Sequence, residues 1–291
     1  MTIDEKVNAL GTELGVPRLG IMHTEHSEGL HGMALGGPGG WGGKHLVNSR
    51  IVTIEYPTTI FPQAYGLGET WDPELIRKVA DIEATEIRYY TQNRKYNKGG
   101  MVMRTPNADL ARDPRWGRTE ESFGEDAFLT ARMTVAFVKG LQGDNEKYWK
   151  SASLMKHFLA NSNEDGRSFT SSNFDEQLFR EYYSYPFWKG ITEGGARAFM
   201  AAYNSWNGTP MAVHPILTEV TRKEWGNNGI ICTDWGALNQ LVTAHKAFPT
   251  HAEGVAAVIK AGVGQILDTT YKPYIYEALE KKILTEADID K

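Results

Sequence analysis

Short apolar runs alternate with longer stretches of helical spacing from one end of the chain to the other, the pattern of βα units around a parallel sheet. Six runs read as strands: Leu19 to His23, Met101 to Pro106, Ser153 to Leu159, Ala196 to Tyr203, Gly229 to Thr233 and Val263 to Leu267. The intervening helices have legible ends. Asp72-Pro73 places an N-cap before a proline at the first helical position, and Leu75, Ile76, Val79, Ile82 and Ile87 then recur near helical spacing. A second helix is expected from about Asp126 to Leu141, stopping at Gly143. A third, from Asp175 to Lys189, stops at Gly190, and Pro215 opens a fourth that ends near Gly226. The last two run from about Ala252 to Ala261 and from Pro273 to Lys282.

Such an alternation fits either an open doubly wound sheet or an α/β fold of the (β/α)8 TIM-like barrel type with irregular or incomplete first strands. Nucleotide signatures discriminate between them. GGPGGWGG at 36–43 contains a G-x-G-x-x-G from Gly37 to Gly42, but Pro38 interrupts it and no helical pattern follows, so a dinucleotide fingerprint is rejected and a mobile loop expected. A phosphate loop fails as well, because His45 stands where Ser or Thr is required after Gly43-Lys44. The barrel is preferred, since every candidate strand delivers polar or charged residues at its C-terminal end, where barrels place their chemistry.

Composition narrows the function without naming it. The chain has 291 residues, the size of one α/β barrel domain, with 41% hydrophobic and 23% charged residues and a single cysteine, Cys232, so no disulfide can form within it. The net charge of −5, without any basic block, argues against a nucleic-acid partner. No apolar run approaches 18 residues, so no membrane partner is expected, and the N-terminus lacks the layout of a signal peptide. Localisation is not encoded. Thirty-two aromatic side chains are a weak pointer to sugars, which stack their apolar faces on rings.

The strand ends, taken in order, supply Glu28 and His31, then Arg112, Asp113 and Arg115, then Lys156 and His157, then Tyr203, Asn204 and Trp206, and finally Asp234 with Trp235. Asp234 follows the run Ile230-Ile231-Cys232-Thr233, where an ionised carboxylate needs cations or donors around it; Lys156, Arg115 and His157 are the candidates. A carboxylate so held suits attack on an anomeric carbon, because the oxocarbenium-like transition state is positive. Taken alone, the same aspartate would as readily cap the following helix.

Several segments in order resemble the N-terminal barrel domain of the family 3 glycoside hydrolases, the group of β-glucosidases and β-xylosidases. They are MTIDEKV at 1–7, EGLHG at 28–32, FPQAYGLGETWDPEL at 61–75, DPRWGRTEESFGED at 113–126, KHF at 156–158, YNSWNG at 203–208, EWG at 224–226 and TDWGA at 233–237. The resemblance implies that Asp234 is the catalytic nucleophile of a retaining, exo-acting β-glycosidase for terminal β-glucosides or β-xylosides. It implies that Glu28 accepts from hydroxyls on the far side of the sugar. Arg115, Lys156 and His157 would hold ring hydroxyls, Tyr203 would stand near the nucleophile, Trp235 would pack beside the sugar, and Arg167 would lie close to the site. Arg118 is left as a loop tie to a carboxylate such as Glu121.

A retaining glycosidase needs a second carboxyl as acid and base. In most multidomain members of the family it comes from an α/β sandwich domain after the barrel, and the sequence at LTEADIDK offers no such continuation. Single-domain β-N-acetylglucosaminidases of the family use a KHFPGHG loop; this chain reads KHFLANSNEDGR there, with Glu164 and Asp165 nearby. The expectation is therefore one barrel domain over 1–291 with the proton donor missing, and self-association or loss of stability from surface left uncovered. The alternative is a non-catalytic sugar-binding barrel or an inactive fragment. No cofactor and no metal are expected: His23, His26 and His31 with Glu25 and Glu28 do not form H-E-x-x-H, and Glu28-x-x-His31 is half of a di-iron pattern.

Overall fold

The computed structural model describes residues 1–12, 15–22, 25–34, 44–47, 50–53, 57–93, 96 and 100–291. The GGPGGWGG stretch at 36–43 lies outside them. Five strands form one parallel sheet in chain order: β1 (His26–Glu28), β2 (Val102–Arg104), β3 (Ala152–Phe158), β4 (Ala198–Ala201) and β5 (Ile230–Cys232). Glu28 pairs with Arg104, Met103 with Ser153, Met155 with Phe199, and Ile231 with Phe199. Past β5, Gln265 makes a parallel bridge to Cys232, and its side-chain oxygen lies 2.8 Å from His26 Nε2 of β1. That contact brings the two ends of the strand series together. The fold is an α/β TIM-like barrel.

Helices cover the outside: α1 (Ile3–Ala9), α2 (Pro73–Gln92), α3 (Ala127–Gln142), α4 (Tyr185–Thr192), α5 (Ile216–Glu219), α6 (Ala237–Thr243), α7 (His251–Lys260) and α8 (Lys272–Glu280). The cap read at Asp72 is in place, and Asp126, expected as a helix start, caps the next helix. Asp72 accepts from Glu74 N and Leu75 N, and Asp126 accepts from Leu129 N. Strand side chains alternate, as the pleat requires. Val102, Leu154, Ala198, Met200 and Cys232 cluster in the barrel's interior with Leu267, while Met155, Phe199 and Ile231 join the larger core beneath the helices.

Four of the expected elements differ. Of the run Leu19 to His23, residues 19–22 do not form a strand and His23 lies outside the described residues: Pro17–Leu19 is a 3-10 turn, Gly20 is left-handed at φ 71°, and Leu19, Ile21 and Met22 are exposed, so β1 starts at His26 instead. The helix expected from Asp175 to Lys189 is broken by a π-helical stretch, Phe179–Tyr183, and α4 then runs through Gly190 to Thr192. Gly190 is there for close packing, since a Cβ at that position would stand 2.2 Å from Met155 Sδ of β3. The helix opened by Pro215 lasts only through α5 before turning toward Gly226. The run from Val263 to Leu267 contributes a single bridging residue, Gln265.

Candidate active site

The alternation that fills the barrel also aims its chemistry. Two residues beyond the interior positions Val102, Leu154 and Cys232 come Arg104, Lys156 and Asp234, and Glu28 stands in register with Arg104. All four therefore point inward at the C-terminal end of the strands. The register shift between Met155 and Phe158 in β3 accompanies the placement of His157, which lines the same cavity. The cavity measures about 370 Å³, within the range of roughly 300–1,000 Å³ typical of small-molecule sites. Glu28, Arg104, Arg118, Lys156, His157, Arg167, Tyr203 and Asp234 all face it, as do His31 and Glu121.

Asp234 sits just past β5, its side chain 13% exposed. Its Oδ1 accepts from Trp235 N at 2.7 Å, and Oδ2 is 3.7 Å from His157 Nε2. Gly236, left-handed at φ 78°, lets the chain turn from this residue into α6. Burial raises the Asp234 pKa above the usual carboxylate value, opposed by the Trp235 N–H and by the charges of Lys156 and Arg118. Tyr203 is itself pushed up by burial and by Asp234; its hydroxyl donates to Trp235 O at 2.6 Å.

The same cavity holds a braced carboxylate. Glu28 accepts from Arg104 Nη1 at 2.9 Å and from Lys156 Nζ at 3.0 Å. Burial opposes its ionisation, but Lys156 and Arg104 outweigh burial and hold the pKa below the ordinary value. Glu121 is held down in the same way: burial opposes, and the two parallel bonds from Arg118 (2.9 and 2.7 Å) prevail. Arg167 pairs with Glu164 and lies 4.5 Å above the Tyr203 ring.

The structure thus brings together Glu28, Lys156, His157, Arg167, Tyr203 and Asp234. It does not bring Arg115. That side chain is 89% exposed, paired with Asp113, and faces a separate cavity with Arg112, Glu164 and Asp165. Arg118 stands in the Asp234 cavity in its place. The expected tie to Glu121 is present, and it leaves the guanidinium facing the cavity. Trp235 is 63% exposed and faces an adjoining cavity of about 440 Å³, which shares Arg167 and Tyr203 with the first. Asn204 and Trp206 are buried in structural contacts: Asn204 Nδ2 donates to Leu159 O, and Trp206 stacks on Phe179 and His214. Arg104, Asp109 and Arg118 were missed; two-residue periodicity from Val102 would have found the first. Among the described residues no group of three or more His, Cys, Asp or Glu is arranged to hold a metal.

Fold and site together define an α/β barrel with a polar, carboxylate-bearing pocket at the C-terminal mouth of its strands. Residues 49–291 match the glycosyl hydrolase family 3 N-terminal domain, and the chain belongs to that family. It is 34% identical to a probable β-D-xylosidase of Arabidopsis thaliana, over the whole of this chain and 38% of that protein. A β-glucosidase of Rhizobium radiobacter is 33% identical over 81% of this chain and 26% of its own length. Among solved structures, a family 3 exo-β-xylosidase in complex with a xylobiose aziridine activity-based probe superposes with a TM-score of 0.86 at 28% identity, covering all of this chain and 37% of that one. The β-glucosidase 3B of Thermotoga neapolitana in complex with glucose gives 0.81 at 25% identity, covering all of this chain and 40% of that one. The chain spans about a quarter to two-fifths of the length of the curated relatives it matches.

Proposed function

We propose that this barrel carries the nucleophile and the glycone pocket of a retaining, exo-acting β-glycosidase for terminal β-D-glucosides or β-D-xylosides. The observation that carries the reading is Asp234: a buried carboxylate open to a polar cavity, close to His157 and in the field of Lys156 and Arg118. An anion at this point can attack the anomeric carbon as the glycosidic C–O bond breaks, giving a glycosyl-aspartate that water then hydrolyses. Glu28, kept ionised by Lys156 and Arg104, is suited to accept from two neighbouring sugar hydroxyls. The adjoining cavity under Trp235 offers room for the leaving group. The names of the relatives, β-xylosidases and β-glucosidases, support the same substrate class.

The proton donor is a separate matter. Among the described residues, the carboxylates lining the cavity besides Asp234 are Glu28 and Glu121, and both are held ionised by cations, which disqualifies them as acids at neutral pH. Glu164 and Asp165 face the separate Arg115 cavity. We assign the acid and base to a group outside the described lining of this cavity. The test is labelling with a 2-deoxy-2-fluoro glycosyl fluoride or dinitrophenyl glycoside, whose leaving groups need no acid. Intact mass should rise by one glycosyl unit, and Asp234→Asn should abolish the gain. Labelling that persists in Asp234→Asn removes the nucleophile assignment, whereas sugar binding without labelling makes the barrel a binding module.

A further inference from the structure

Asp109 lies in the segment that follows β2, its side chain 1% exposed, and contacts His157 at two places through one oxygen. Its Oδ2 accepts from the His157 backbone N at 3.0 Å and is 3.0 Å from His157 Nδ1. A backbone N–H only donates, so Oδ2 accepts from it, and with that oxygen unprotonated the bond to Nδ1 requires the ring proton there. Burial, with the nearby charges of Arg118, Lys156 and Arg167, holds His157 well below the ordinary histidine pKa, so the ring is neutral and carries one proton. Burial also pushes the Asp109 carboxyl up to about 8; in the neutral acid the carbonyl oxygen is the better acceptor, so the bond from the His157 backbone N–H favours an accepting Oδ2 and a proton on Oδ1.

We propose that Asp109 is a positioning residue that fixes His157 as the Nδ1–H tautomer, so that Nε2 presents a lone pair to the ligand beside Asp234. Nε2 and Asp234 Oδ2 are 3.7 Å apart and both are acceptors. Two acceptors side by side at a cavity wall call for a donor between them. A glycone hydroxyl next to the reacting carbon supplies one, and a group that can only accept is rejected at this point. The ligand half of this inference rests on the sugar reading given above; the tautomer half does not.

The chain with 15N in its eight histidines, observed by long-range 1H–15N correlation, reads the tautomer directly, with His157 assigned from His157→Gln. The expected result is protonated Nδ1 and unprotonated Nε2. Asp109→Ala should move His157 toward the Nε2–H form and weaken glucose or xylose binding, measured by calorimetry, about tenfold, while Asp109→Asn, whose amide oxygen accepts from both N–H groups, stays within about threefold. Monodeoxy sugars complete the test. The analogue that loses most against the unmodified chain should lose little further against Asp109→Ala. An Nε2–H tautomer in the unmodified chain, an unchanged tautomer in Asp109→Ala, or equal losses in both variants would overturn the proposal. If Asp109→Ala does not fold, the tautomer of the unmodified chain and its retention in Asp109→Asn still decide it. An Nδ1–H ring in a chain that binds neither sugar upholds the tautomer and overturns the sugar reading instead.

Discussion

Replacing Lys156 by methionine keeps most of the side-chain volume and removes one charge from the centre of the site. Its Nζ lies 3.0 Å from Glu28 Oε2, and the two side chains are 6% and 17% exposed. At that separation and an effective dielectric near 20, the gross attraction is about 5–6 kcal/mol, most of it offset by desolvation. Removing one partner of a buried pair costs roughly 3–5 kcal/mol when the other is left alone. Glu28 is not left alone, because Arg104 Nη1 remains 2.9 Å from its other oxygen. Lys156→Met should therefore destabilise the chain by about 2–3 kcal/mol in urea unfolding, at or just below the low end of that range. Asp234 loses the same cation, so its ionised form becomes less favourable, and fluoroglycoside labelling at neutral pH should slow by about tenfold or more. A variant as stable as the parent that labels at the parent rate would refute both the bracing of Glu28 and the electrostatic support of Asp234.

The two arginines of DPRWGR should behave oppositely: Arg115→Ala should leave labelling unchanged within about twofold, as expected for an exposed pair, whereas Arg118→Ala should slow it about tenfold or more, as read by intact mass over time. The labelling rate should fall on acidification along a limb centred above the ordinary aspartate value of about 4, because burial raises the Asp234 pKa and only the anion attacks; a limb at or below that value would contradict the burial argument. Glu83 of α2 is buried against the loop that follows β1, beside Gly29 and Gly32, with its pKa pushed well above the ordinary value by burial and then by Glu86. The folded state therefore keeps a proton that the unfolded chain releases, so stability falls as pH rises above the usual glutamate range, by up to about 1.4 kcal/mol per pH unit. Glu83→Gln should remove that loss, seen as a smaller difference between urea unfolding at about pH 5 and about pH 8.

Much of the site was legible because strands and helices repeat. A residue two places past an interior strand position faces inward whatever surrounds it, which is why Lys156 and Asp234 could be named from the chain, and why Arg104 should have been. Helix starts were equally legible, since a cap such as Asp72 or Asp126 bonds backbone only two or three residues away. Where no period exists, the order of residues carries no direction. Arg115 and Arg118 stand three apart on one loop, and only the carboxylates that fold beside them, Asp113 and Glu121, turn the first to solvent and the second to the cavity.

Taken by itself, the amino-acid order determined the alternation of strands and helices, the family resemblance and the residues Glu28, Lys156, His157, Tyr203 and Asp234. Those signals are short in range or rest on motifs that travel as units. Tertiary structure alone decided which arginine serves the cavity, that Asp109 stands behind His157, that Gly190 makes room for Met155, and that β1 begins at His26. The last three depend on contacts between segments tens of residues apart, whose geometry is set by strand register and helix packing rather than by any local preference, while the two arginines are sorted by the way one loop folds around Asp113 and Glu121.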